Sequence, residues 1–150
     1  MIRTTHKQLL EEILVQVYNT SLFRESKKYM QHGSTSIYRH SVMVAYKSCE
    51  IAEKYNLEVS YREMIRGALL HDYFLYDWHD KEHNHRRPHG FFHASAALSN
   101  ASRDFELTRI EKDIIKKHMF PLTPVPPKYK EGWVVCLADK VCSLGETIKR

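Results

Sequence analysis

The sequence predicts an all-α fold, a bundle of six to seven helices, on three observations. Apolar residues recur at helical spacing over most of the 150-residue chain. No stretch shows the strict alternation of a half-buried strand. The breaks between periodic stretches coincide with helix start and stop signals. The length suits one domain, 1–150, whose core runs roughly from 37 to 144, with helices inside 1–33 packing on it.

The first helix carries Leu9, Leu10, Ile13, Leu14 and Val17 behind the candidate caps Thr4 and Thr5. A short second helix is expected from Leu22 to Gln31, ending at Gly33, after which Ser34, Thr35 and Ser36 offer caps for a long helix from Ile37 to Tyr55. On that helix His40, Val44, Ser48 or Cys49, Ile51 and Tyr55 share a broad face. Ser60 followed by Glu63 is a capping-box pair, which opens a helix from Tyr61 to about Asp72 with Met64, Ile65, Ala68 and Leu69 inward. Tyr73 to Pro88 is polar, aromatic and His-rich without a period, as in a lid loop. Helices resume at His89 to Ala101 and, after the pair Thr108 and Glu111, at Ile110 to His118. Four prolines forbid regular structure between Phe120 and Lys128, and a last helix runs from Glu131 to Glu146 with Val134, Val135, Ala138, Val141 and Cys142 inward.

Composition excludes several classes. No apolar run approaches the length of a membrane span, and the N-terminus lacks the apolar stretch of a signal peptide, so cytosol is the expected compartment. Cys49, Cys136 and Cys142 lack metal or redox spacing and read as reduced core residues. The formal charge of +5 favours an anionic partner, but the basic residues form no stripe, so a small phosphorylated molecule suits the chain better than nucleic acid. A homodimer is left open.

Ten histidines require an explanation at the level of a site. His40 starts one helix, His71-Asp72 ends the next, His118 ends another, and Asp139 interrupts the apolar run VVCLADKVCSL. A carboxylate buried on such a face needs a cation or several hydrogen bonds. Imidazole and carboxylate suit divalent transition metals, and iron, manganese, zinc and nickel all fit. His6 and His32 lie outside this pattern and read as structural or exposed, and His79 and His83 in the lid read as exposed loop residues. Tyr73, Phe74, Tyr76 and Trp78 read first as packing.

The pieces YRHSVMVA, ALLHDYFL, PHGFFHA, IIKKHMF and CLADKVC, in that order, resemble the HD superfamily of metal-dependent phosphohydrolases. The resemblance implies a helical domain in which His40, His71, Asp72 and Asp139 bind a first metal. In branches with two further histidines, His89 and His118 would bind a second, with Asp72 bridging the pair. Two close cations would lower the pKa of a shared water and clamp the phosphoryl oxygens during its attack. The implied substrate is a phosphoester or phosphoanhydride, and the aromatic residues near the site suit a nucleotide. The absence of a GYP-type signature near His118 disfavours a cyclic-dinucleotide phosphodiesterase. His93 lies one helical turn after His89, where it is expected to serve as an accessory or proton-donating group, and Arg86, Arg87 and Lys140 are candidate phosphate contacts. Asp72, His93 and Lys140 are therefore the candidate catalytic residues, with one or two divalent ions as cofactor. Two other functions use the same scaffold, a catalytically silent nucleotide-binding regulatory domain and a di-iron oxygenase.

Overall fold

The structure, a computed structural model, describes residues 1–19, 30–32, 35–73 and 89–148, and for 30–32, 35, 89–93 and 146–148 it describes the backbone alone. The fold is all-α. The described helices are α1 (Thr4–Tyr18), α2 (Ile37–Lys54), α3 (Tyr61–Leu70), α4 (His89–Asp104), α5 (Arg109–Lys117) and α6 (Lys130–Ile148). Among the described residues no helix is long and apolar enough to cross a membrane.

Four helices close a ring: α2 packs on α3 and α6, α3 on α5, and α5 on α6. Helix α1 covers α3 and the edge of α2, and α4 packs on α5. Each ring helix turns an apolar stripe to the centre, contributing Val44, Ala45 and Ala52 from α2, Ile65, Ala68 and Leu69 from α3, Ile114 and Ile115 from α5, and Val135 and Ala138 from α6. At the α3–α5 crossing a Cβ on Gly67 would lie 2.6 Å from Ile114 Cδ1, so a side-chain-free position sets how closely the two backbones approach.

Local signals set several boundaries. The Ser36 hydroxyl accepts from Arg39 N at 3.1 Å and caps α2. That helix ends in a Schellman turn: Asn56 takes the left-handed conformation at φ 52°, and the N–H groups of Asn56 and Leu57 donate to the carbonyls of Glu53 and Ala52. Thr108 and Glu111 form the full capping box that opens α5.

Other expectations are corrected. Residues 20–29 lie outside the described residues, but Met30–His32, expected to end a helix, form a strand β1 paired antiparallel with β2 (Thr35–Ser36). Thr4 and Thr5 are inside α1 rather than capping it; the N-cap is Arg3, which makes no side-chain cap, and its N–H donates to the Glu53 carboxylate at 3.0 Å. The Ser60 box is half formed, because the Ser60 N–H donates to Glu131 at 2.6 Å instead of closing on Glu63. Tyr55 is 63% and Val141 44% exposed, since the apolar surface of their helices extends beyond the stripe that the ring buries.

Carboxylates far apart in sequence tie the helix ends. Asp113 is buried, and it accepts from the N–H groups of Lys128 and Tyr129 at 3.0–3.1 Å and from Lys117 Nζ at 3.1 Å, placing negative charge at the start of α6. Glu53 holds the N-terminal segment through Arg3 and His6, and the His6 ring stacks on Tyr61 at 3.6 Å. Burial favours the neutral Glu53 acid, but the hydrogen bonds from His6 and the Arg3 N–H outweigh it and hold its pKa below the ordinary 4.5. A depressed carboxylate contributes stability that is present above its unfolded pKa and lost as pH falls through the folded value. Glu53→Gln is therefore expected to be less stable than wild type at pH 7 and to lose less on acidification below about 4.5, as read by urea midpoints across that range. Parallel acid limbs for the two proteins would contradict this.

Candidate metal centre

The ring delivers ionisable groups to one point from four directions. His40 lies in the first turn of α2, His71 and Asp72 directly follow α3, His118 directly follows α5, and Asp139 lies within α6. All five are buried, His40 and His71 completely.

The same local device sets His71 and His118. A helix leaves its last carbonyls without intrahelical donors. Each of these histidines occupies the C-cap and turns its Nδ1 onto the carbonyl three residues back, His71 onto Ala68 at 2.6 Å and His118 onto Ile115 at 2.8 Å. A carbonyl only accepts, so Nδ1 carries the proton and Nε2 is left to face the centre. This is the support that orients an imidazole toward a metal.

The facing atoms are close together. His40 Nε2 is 2.8 Å from Asp139 Oδ1 and 3.7 Å from Asp72 Oδ2. His71 Nε2 lies 3.3 Å from Asp139 Oδ1 and 3.3 Å from Asp72 Oδ2, without the alignment of a hydrogen bond to either. His118 Nε2 is 3.4 Å from the other Asp72 oxygen, Oδ1. Asp72 thus divides its carboxylate, one oxygen toward His71 and His40 and one toward His118. Two overlapping sets, His40/His71/Asp139 and His71/Asp72/His118, each place their ligand atoms within 4.8 Å of one another and can hold a metal ion.

The charges are coupled. Burial pushes His71 down, but the carboxylates of Asp72 and Asp139 outweigh it and raise its pKa well above the ordinary value. Burial lowers His118, and the adjacent His71 charge adds to that against the pull of Asp72. Asp139 is held far below the carboxylate range: burial favours the neutral acid, and the His71 charge with the hydrogen bond from His40 overrides it. In the metal-free chain a proton on His71 therefore balances the carboxylates. The donor set fits a cation in that role, because a buried Nε2 without a hydrogen bond faces two carboxylates.

The remaining candidates divide. His89 begins α4, but its side chain and that of His93 lie outside the described residues, as do Arg86 and Arg87 and the histidines of the expected lid. Lys140 folds back along α6, donating to the His118 carbonyl at 3.2 Å and contacting Cys136 Sγ at 3.1 Å. The Cys136 thiol in turn donates to the Phe120 carbonyl at 3.2 Å. Neither partner was legible beforehand, although Cys136 and Lys140 are four apart on one helix face. Tyr73 packs on Phe105 and donates to Asp104 at 2.8 Å, which fixes the chain directly after Asp72.

Removing one partner of a buried pair leaves the other charge uncompensated, at a cost of about 3–5 kcal/mol. Asp139→Ala is expected to lose stability of that order in the metal-free protein at neutral pH, measured by urea unfolding. An unchanged midpoint would show that His71 and Asp139 are not charged against each other.

Neither the curated proteins nor the solved structures contain a significant match to this chain. A family model described as HD domain matches residues 37–144, from the start of α2 almost to the end of α6. That span includes every residue of both metal-competent sets. The chain therefore belongs to the HD domain family, a superfamily of metal-dependent phosphohydrolases.

Proposed function

We propose that this protein is a metal-dependent phosphohydrolase that cleaves a phosphoester or phosphoanhydride in a small, nucleotide-like substrate. The observation that carries the reading is the convergence of three imidazoles and two carboxylates, with the outer nitrogens of His71 and His118 held by backbone carbonyls. His40, His71, Asp72 and Asp139 hold a first divalent ion. His118, joined by His89 from the start of α4, holds a second, and the divided carboxylate of Asp72 is suited to touch both. Bound there, the ions would supply a water acidified toward neutral pH and positive charge for the phosphoryl oxygens.

The chain's own contribution is placement and charge. Burial keeps bulk water from the ligand atoms, which strengthens their electrostatics. Lys140, through the His118 carbonyl, holds the turn after α5 and keeps cationic charge on the rim. His93 is assigned the proton given to the leaving oxygen, and Arg86 and Arg87, ahead of α4, the remaining substrate phosphates. The net charge of +5 suits an anionic substrate.

The test is metal analysis of protein purified without added metal, followed on the same sample by phosphate release from nucleotides and dinucleoside polyphosphates. At least one equivalent of a transition metal and turnover with one of these substrates are expected. Asp72→Ala should lose both metal and turnover, and His93→Ala should retain metal and turn over more slowly. Less than one equivalent, with no turnover after addition of any divalent cation, would overturn the reading. Loss of metal from His93→Ala would move His93 into the ligand set.

A further inference from the structure

The turn that carries His118 is gripped by one face of α6. Residues 118–129 follow α5 in turns and bends, without a helix or strand to fix them. Three side chains of α6 hold the start of this stretch. Trp133 meets the Phe120 ring edge to face, with the centroids 5.5 Å apart. The buried Cys136 thiol donates to the Phe120 carbonyl at 3.2 Å, with the His118 carbonyl 3.5 Å away. Lys140 Nζ donates to the His118 carbonyl at 3.2 Å. Residues 133, 136 and 140 stand at i, i+3 and i+7, which is one side of a helix. Lys140 Nζ also lies 3.1 Å from Cys136 Sγ, so the two residues act on the turn as a unit.

We propose that Cys136 and Lys140 are positioning residues for the second metal ion, which they serve by fixing His118 against α6 rather than by touching the ion or the substrate. The inference rests on the two-ion form of the phosphohydrolase reading. Three observations carry it. The Nδ1 bond to Ile115 fixes the His118 ring against its own helix, but it does not fix the end of α5 against α6, the helix that carries Asp139. The carbonyl that Lys140 holds belongs to His118 itself, so the clamp acts on the backbone of the ligand directly. His118 enters the set His71/Asp72/His118, and the set His40/His71/Asp139 does not include it.

The magnitudes fit a role of this kind. A bound ion accepts ligand distances within about 0.2 Å, so a small drift of the turn is enough to weaken it. Partners that orient a ligating histidine are worth about 10–100-fold in metal affinity. The end of α5 also suits a cation, because its last carbonyls are open and carry the negative end of the helix dipole. Lys140 is exposed along its length, and a lysine so placed ordinarily keeps its ammonium in water; here it turns onto the main chain.

Binding of Mn²⁺ to the metal-free full chain, with the free ion read by electron paramagnetic resonance, tests this. Wild type is expected to take up two ions. Lys140→Met, at an exposed position and checked for native circular dichroism, should hold the second ion roughly tenfold or more weakly and the first within about twofold of wild type. Lys140→Arg keeps a donor for the carbonyl and should recover most of the loss, and Cys136→Ala should weaken the second ion in the same direction. An unchanged second-ion affinity in Lys140→Met, or a fall in both affinities together, would overturn the proposal, the latter by showing a general loss of structure. A wild type that takes up one ion would overturn it as well, but would leave the hydrolase reading in place on a single metal. Uptake of no ion would overturn both.

Discussion

Three imidazoles and two carboxylates buried at the meeting point of four helices constrain everything around them. Apolar packing alone would bring α2, α3, α5 and α6 together, but it would not tolerate unpaired charge at their centre. The groups are therefore oriented by the ends of their own helices or by one another. His71 and His118 use the open carbonyls at helix ends, and Asp139 is held by His40 and His71 across the ring. The shared position of His71 makes the arrangement cooperative, because it faces both carboxylates and belongs to both metal-competent sets. The helix termini thus determine the site as much as the helix faces do.

That dependence explains what the sequence could and could not reveal. A His-Asp pair closing an apolar helix, a histidine closing another, and a lone carboxylate inside VVCLADKVCSL are local anomalies, and residue type with position suffices to mark them. Helix α5, with its reciprocal cap, was equally legible. The long-range ties were not. Glu131 reaches Ser60 across 71 residues, and Asp113 holds the start of α6 from 15 residues upstream, with no local pattern to announce either. Val141 was misplaced for a related reason. Periodicity locates one apolar stripe per helix, and α6 has two, so the buried side could not be chosen from spacing alone.

Helix α6 presents Asp139 to the metal centre, and Lys140, the next residue, ties the helix to the turn carrying His118. Helix α6 is anchored at its start by Asp113 and along its length by α2 and α5, a rigid support of the kind that a preorganised site requires.

X-ray absorption spectroscopy at the edge of the metal bound by the purified protein tests the central claim most directly. The account predicts a first shell of nitrogen and oxygen only, with the outer-shell scattering of at least two imidazoles. An all-oxygen shell, or a sulfur ligand from one of the cysteines, would contradict it.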